Sequence, residues 1–598
     1  MPETQCIGSL QGLQEALQRG CLSSWDSLMT ADPTATFFQS PSWCVEWYRC
    51  YDALYQPLVM TVTSGEQLVG VVPLALERST RRLTFASDEM SDYRDVVAMP
   101  GYRQLVVAGL LRLCRAGNFP TPLQLGPMQP ESETLHIALA FSGSLSGLRI
   151  LARSHSCWRW WFTDNAAVNG LTSKKSVRQP LSHYRRQGAV RLERIETIAS
   201  WEDIREEFFD QHALRQIYTG RPVSFNDERK RAFYTALLQK HPSAMHVTAL
   251  RVGERILAMH YGYTWRDVLY WGAPAFDITE VKHSPGQVLL ALVFQHAAAT
   301  GLRGVDLTLG IEDYKKRFSN EHVELPTLEI YARARQYYAR RLRDEAASIV
   351  KALVVRWRGP QAWDQARDVL DSIGGGGRGV WSLAAGAARR AKSAVTTKSR
   401  RLIFMAMPVD VRQVTPHLLA GENVECRNNR VTDLLKWEHG DRKTASRIAV
   451  TVRRVPESLR SGHTLHTLLL NDRLVGWGWS YLPRERVLLL DTKTSFDVEA
   501  NAVWLYDFYL VPMGRHRQEH QAALLARIVE ERVVQGAERA YIVSTGGDVL
   551  LRRAIEQVGF HLVRVDKLVR VLRRERRTIK CYAGTDRPGG VPVGQRAS

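Results

Sequence analysis

The chain is poor in the features that usually announce a protein's class. Its 8 cysteines (Cys6, Cys21, Cys44, Cys50, Cys114, Cys157, Cys426 and Cys581) are scattered over 598 residues, with no CxxC pair and no Cys/His cluster at zinc spacing. This argues against a disulfide framework, a structural zinc or any other metal, and it fits a reducing compartment. No uninterrupted apolar run reaches the roughly 20 residues that a membrane helix needs. The segment Met1 to Gly20 is polar and acidic rather than a basic run before an apolar core. No secretory signal is therefore expected, and the expected location is the cytoplasm. Acid is the scarce charge: 61 Asp and Glu stand against 81 Lys and Arg, a net charge of +20. Such a surface attracts nucleic acid, an anionic membrane face or phosphorylated ligands, and charge alone does not choose among them. Hydrophobic residues at 45% are enough for several cores, and the length implies three or four domains.

Periodicity divides the chain into four segments. Residues 1–170 open with strands at Leu58–Thr63 and Gln67–Leu76 around the turn Ser64-Gly65-Glu66, then a helix over Arg103–Arg115. Residues 171–335 begin with a basic stretch (Lys174, Lys175, Arg178, Arg185, Arg186, Arg191, Arg194). Helices are expected over Trp201–Gln216 and Asp227–Lys240, then a hairpin of His246–Val252 with Ile256–Thr264 and a strand at Val268–Gly272. A helix over Gly286–Thr300, a strand at Gly304–Thr308 and a short helix at Glu312–Phe318 complete the segment. Residues 336–400 read as a basic helical linker containing Gly374 to Gly377. Its helix is either a solvated connection or a peripheral contact with an anionic membrane or a partner. In residues 401–598 the order hairpin, strand, helix, strand, helix, strand returns, which suggests duplicated units of one α/β fold.

The chemistry-bearing stretch is Leu269-Tyr270-Trp271-Gly272, then Ser284-Pro285-Gly286-Gln287, then Asp306-Leu307-Thr308-Leu309-Gly310 and Tyr314-Lys315-Lys316-Arg317-Phe318. The Ser284 hydroxyl suits an N-cap and Pro285 the first helical position. Gly286 allows close approach of a ligand, and free amides at that helix start favour a pyrophosphate. A plain capped helix carries the same wording.

This order of strand, ligand-binding helix start, strand and Tyr-containing helix resembles the GNAT acyltransferase superfamily. It is similar in particular to CelD-like acyltransferases, associated with cellulose and exopolysaccharide loci, and more distantly to the FemABX aminoacyl transferases. Phe38-Gln39-Ser40-Pro41-Ser42-Trp43, Leu68-Val69-Gly70-Val71-Val72-Pro73-Leu74 and Ser91-Asp92-Tyr93-Arg94-Asp95 look like that family's opening lobe. The resemblance implies paired GNAT-like lobes over about residues 37–332, and an acyl donor such as acetyl-CoA held by Ser284, Pro285, Gly286, Gln287 and Lys315. It implies Tyr314 as the acid for the leaving thiolate, although Tyr314 and Phe318 stand one residue closer than the family's usual spacing. Glu312 and Asp306 are the candidate bases, ahead of His260 in the hairpin. The acceptor would be a small metabolite or a saccharide precursor.

The last segment carries a looser copy. Val511 to Gln521 looks like a GNAT pyrophosphate loop that keeps Arg515. Gln518 and His520, however, stand where small residues are expected, and Ile555 sits at the tyrosine position. A third, degenerate GNAT-like domain is the expectation. Two other functions stay open: a FemABX-like transferase drawing on aminoacyl-tRNA, which the +20 charge favours, and a non-catalytic scaffold or sensor in polysaccharide production.

Overall fold

The computed structural model describes the chain except residues 1, 21–23, 145–146, 164, 359–397, 409–423, 438–440, 484–485, 490–493, 498–500, 513–516, 546–547, 572–573 and 582–598. The chain divides into two compact units. One comprises Met1–Arg215 with Pro222–Asp364, the other Gln216–Arg221 with Gln365–Ser598. Both are mixed α/β structures.

The first unit holds two sheets. β1 (Pro2–Ile7), β2 (Tyr55–Ser64), β3 (Gln67–Glu77) and β4 (Leu83–Phe85) run in sequence order, and β5 (Val97–Ala98) pairs with β3. All these pairings are antiparallel. The second sheet is built from β6 (Leu123–Leu125), β7 (Arg149–Trp161), β8 (Val190–Ile195), β9 (Met245–Val252), β10 (Arg255–Trp265), β11 (Val268–Phe276), β12 (Gly304–Leu309) and β13 (Glu321–Tyr331). Their order across the sheet is β6-β13-β7-β12-β11-β10-β9-β8. The expected boundary at 170 is therefore corrected. β6 and β7 lie before it in sequence, yet they pair inside the second sheet, because the long strand Arg149–Trp161 fills the place between β12 and β13.

Helices cover both faces. α1 (Pro41–Tyr51) and α4 (Glu228–Lys240) pack on each other, where Trp43 and Phe233 meet edge to face at 4.9 Å, and Tyr234 of α4 packs on Tyr261 of β10 at 4.8 Å. Between them in sequence lie α2 (Lys175–Arg185) and α3 (Ile198–Thr219). α5 (Pro285–Ala299) lies on the opposite face with α2, and its Val288, Leu289, Val293 and Phe294 are buried against Leu257, Leu269, Val305 and Leu307. Strand alternation sorts these contacts. Val305 and Leu307 face α5, and Asp306 between them faces the first lobe. The short α6 (Asp313–Arg317) follows β12, and α7 (Ala334–Arg358) opens the expected linker; Gly374 to Gly377 lie outside the described residues.

The second unit repeats the plan. β14 (Lys398–Pro408), β15 (Val424–Asn428), β16 (Thr464–Leu470), β17 (Arg473–Tyr481), β20 (Ala502–Leu510), β21 (Arg539–Thr545), β22 (His561–Val571) and β23 (Arg574–Cys581) form a sheet. Its order is β15-β16-β17-β20-β21-β14-β22-β23, and β18 (Arg486–Leu489) with β19 (Thr494–Asp497) makes a separate ribbon. The early strand β14 sits between β21 and β22 as β7 sits between β12 and β13. The order inferred from the sequence to recur does recur, with α8 (Arg517–Val534) in the place of α5 and α9 (Val549–Gln557) after β21.

The second sheet of the first unit tolerates no bulk where β12 starts beside β7. A Cβ on Gly304 would lie 2.6 Å from the Trp160 carbonyl oxygen and 2.5 Å from the Trp161 ring. Gly304→Ala should lower the stability of this unit by about 1–3 kcal/mol. Urea unfolding followed by circular dichroism reads this as a lower midpoint; an unchanged midpoint would mean that β7 yields.

Candidate active site

The site begins where two parallel strands part. β11 and β12 pair only from Val268 with Gly304 to Tyr270 with Asp306. β11 then continues along β10 to Phe276, while β12 follows β7 with its register broken between Asp306 and Leu309. Thr308 lies in that break at φ 57, a left-handed conformation that costs a β-branched residue free energy. Two bonds hold it there. Its N–H donates to Asp306 Oδ1 at 2.7 Å, and its hydroxyl donates across the gap to the Trp271 carbonyl at 3.3 Å. Beyond Tyr270, β11 has no pairing to β12, so the strands part into a wedge that the Thr308 hydroxyl bridges to the Trp271 carbonyl.

Asp306 anchors the wedge. Its carboxylate accepts from Tyr93 Oη at 2.7 Å, Arg159 Nε at 3.0 Å, Cys157 Sγ at 3.3 Å and the Thr308 N–H. Arg159 and Asp306 form a buried ion pair. Burial, then the Asp306 charge, pushes the Tyr93 hydroxyl far above its ordinary range. The opening-lobe motif explains how the loop bearing Tyr93 is held. Ser40 caps α1 by accepting from the Trp43 N–H, and Pro41 takes the first helical position. Gln39 Nε2 then donates to the Tyr93 carbonyl at 2.8 Å, and Trp43 Nε1 to Ser87 Oγ at 2.6 Å. Arg94 closes the other side through its N–H to the Pro127 carbonyl.

Next to this anchor lies Asp92. Burial raises its carboxyl to about 6, helped by the Asp306 charge and opposed by Lys315, the Thr308 hydroxyl and Lys230. Lys230, on α4, is lowered to about 8 by burial, against the charges of Glu89, Asp92 and Asp227. Lys315 is buried, donates to the Leu309 carbonyl and lies 3.6 Å from Glu312 Oε2. A carboxyl and an ammonium whose proton affinities are both drawn toward neutrality thus lie close together beside the parting strands.

The structure brings Asp306, Glu312 and Lys315 together here. Asp306, expected as a base, has its two oxygens occupied by four donors. Tyr314 packs at the edge of the α5-side core with Phe318 and Trp160. Glu312 stands at the N-cap position of α6. Ser284, Pro285, Gly286 and Gln287 open α5. The hydroxyl-cap expectation for Ser284 is corrected: the residue sits at φ 47 and ψ 53, and its carbonyl, not its side chain, accepts from Gln287 N at 2.9 Å and Val288 N at 3.3 Å. Pro285 has no N–H, so in this first turn the Gly286 amide is the donor left for a phosphate. A Cβ on Gly286 would lie 3.4 Å from the Phe276 ring, an ordinary contact. His260 is fully buried, stacks on Trp271 at 3.9 Å and accepts from the Gly272 N–H. Burial pushes its pKa far below the usual range, which leaves it neutral on the α5 face. His183, Glu280 and His283 bring three ligand-type atoms within 4.8 Å of one another, with the two imidazoles stacked face to face. Among the described residues no helix is long and apolar enough to cross a membrane.

Nothing local in the sequence singles out Lys230, and Asp92 stands out only within an opening-lobe motif. The one available hint was a charged residue, Arg159, inside a tryptophan-rich strand. Arg159→Leu should destabilise the first unit by about 3–5 kcal/mol, since it strands a buried carboxylate. Adding Asp306→Leu should recover much of that loss. Thermal unfolding of the two single variants and the double variant measures this, and additive losses would show that the pair is not coupled.

Residues 172–316 match the family model described as "Acetyltransferase (GNAT) domain". Comparison with curated proteins gave no match. Solved structures similar to this chain include FemX, at 9% identity over 52% of this chain and 96% of that one, with a TM-score of 0.39. The C-terminal domain of a putative lysylphosphatidylglycerol synthetase from Agrobacterium fabrum is 13% identical over 56% of this chain and 96% of its own, with a TM-score of 0.34. A GNAT-family acetyltransferase from Colwellia psychrerythraea is 10% identical over 55% and 98%, with a TM-score of 0.31. At such scores these likenesses carry no argument; the match over 172–316 takes in β8 to β12 with Lys230, Asp306, Glu312 and Lys315, while Asp92, Tyr93 and Arg159 lie outside it.

Proposed function

We propose that the first unit is an acyltransferase that moves an acyl group, in the simplest case acetyl from acetyl-CoA, onto an amine or hydroxyl of a small metabolite or a polysaccharide precursor. The observation that carries this reading is the wedge between β11 and β12 with Asp92 beside it. An extended, amide-bearing thioester arm can pair with the edge of β11 that β12 leaves. The Gly286 amide and the dipole of α5 favour the donor's pyrophosphate. Asp92 takes the proton from the attacking amine or hydroxyl, the new C–N or C–O bond forms as the C–S bond breaks, and Tyr314 protonates the departing thiolate. Lys315, near Asp92 and Glu312, fixes the charge balance of the base. Lys230, lowered to about 8, supplies a second titrating group near Asp92. The second unit, with Gln518 and His520 in the first turn of α8, is assigned no turnover of its own.

The pH dependence follows from Asp92. Below about 6 its carboxyl is protonated and accepts no proton, so the rate should fall as pH drops through that value. Asp92→Asn should lower kcat about 10²–10⁴-fold and remove this acid limb. Stability moves the other way. A carboxyl raised above its unfolded value of 3.8 costs the fold stability as pH rises from about 4 to about 6. Asp92→Asn should therefore flatten the pH–stability curve in that window. An acid limb that survives in the variant would remove Asp92 as the base.

Calorimetry with acetyl-CoA tests the donor. Micromolar binding, about 8 kcal/mol, that Gly286→Trp abolishes without unfolding the protein supports the reading. Absence of acetyl-CoA binding together with a salt-sensitive complex with aminoacyl-tRNA would replace it.

A further inference from the structure

Beside the residues that lead into α5 lies a pocket of about 790 Å³ walled by α2 and by the turn at Lys282-His283. Its charge is of one sign. Arg178, Arg185 and Arg186 come from α2 and Lys282 from the turn, with the imidazoles of His183 and His283 between them. Among the described residues none of these four cations has an ion-pair partner. Other arginines of this unit are paired, such as Arg19 with Glu15 at 2.5 Å and Arg231 with Glu206 at 3.2 Å; what sets these four cations apart is that they face one pocket. The nearby carboxylate, Glu280, is already engaged by Arg255 at 3.3 Å. The negative end of the α2 dipole accounts for Arg185 and Arg186, but not for Arg178 in the first turn of the helix or for Lys282 on another element. Unpaired like charges facing one depression repel each other, and an anion that enters relieves the repulsion.

Helix packing fixes the pocket's position. Val177, Leu181 and Tyr184 bury one stripe of α2 in the α5-side core, which leaves Arg178 and Arg185 on the outside. Tyr184 Oη donates to the His283 carbonyl at 3.3 Å, and the His183 ring stacks on His283 at 3.7 Å. This pins the basic end of α2 to the peptide that runs directly into Ser284-Pro285-Gly286. The parallel stacking also leaves no point lying in both ring planes, so these two imidazoles do not share a metal ion as placed. The pocket falls within the range that holds a nucleotide-sized ligand.

We infer that this pocket binds the phosphomonoester on the nucleotide part of the thioester donor, a second anion site beyond the pyrophosphate at Gly286. The inference rests on the donor reading given above. It predicts discrimination between coenzyme A and 3′-dephospho-coenzyme A, which share the pyrophosphate and differ by that one phosphate. In calorimetry on the full chain, coenzyme A should bind at least about tenfold tighter than the dephospho form. In the Arg185→Gln/Arg186→Gln variant the ratio should fall to near one, through weaker binding of coenzyme A and unchanged binding of the dephospho form. Both side chains are exposed, so the variant should keep the wild-type unfolding midpoint. Equal binding of the two ligands by the unaltered protein, or a ratio that survives in the variant, overturns the inference and leaves the donor reading standing. No binding of either ligand overturns the donor reading and this inference with it.

Discussion

One buried carboxylate organises the first unit. Asp306 accepts from a guanidinium on β7, a phenol from the first lobe, a thiol and the amide of Thr308. The guanidinium and the thiol come from β7, the phenol from the loop before β5 and the amide from β12 itself. Desolvating this charge is unfavourable unless all its partners are in place, so the penalty acts as a register pin. It fixes β7 against β12, sets the loop of Tyr93 beside the wedge and holds Thr308 in a backbone shape it would otherwise leave. Asp92 then lies beside a fixed negative charge in a region of low polarity, and its raised proton affinity follows from that placement.

The second unit shows the same scaffold without the pin. Its parallel pair runs from Ala502 with Arg539 to Leu505 with Ile542. Ala540 and Ile542 face its helical core, as Val305 and Leu307 do in the first unit. Tyr541 thus takes the place of Asp306, and its neighbour on β14 is Ala406 where β7 offers Arg159. At the start of α8, Gln518 bonds to Gln557 and His520 is buried. Sheet order is therefore set by backbone pairing and apolar alternation, and the polar chemistry is a separate addition to it.

This separation explains what could be read from the sequence. Amphipathic period and turn chemistry placed β2 and β3 around Ser64-Gly65-Glu66, α5 after Ser284-Pro285 and β12 at Gly304, because those signals are local. Residues Arg149–Trp161 gave no such signal. Their burial alternates poorly, and their place in the second sheet is set by partners 140 or more residues away, so the expected boundary fell at 170. The site divides the same way. Glu312, Tyr314 and Lys315 follow one strand and were found together. Asp92, Lys230 and Arg159 come from three distant segments, and only their meeting gives them a role. The Ser284 hydroxyl differs for another reason: its type suits a cap, but in the left-handed conformation at φ 47 it makes no cap bond and only ordinary first-turn bonds to the carbonyl are present.

The position of β7 and β14 constrains how the chain is made. Each is synthesised early and ends up sandwiched between two strands synthesised late, β12 with β13 and β21 with β22. As the chain emerges from the ribosome, neither sheet can be completed until its closing strands appear, and both edges of the waiting strand stay bare meanwhile. Long loops must close before those pairings are rewarded, which slows folding. A chain cut after β12 would leave one edge of β7 exposed, so premature termination in this region produces a template for aggregation rather than a smaller working domain.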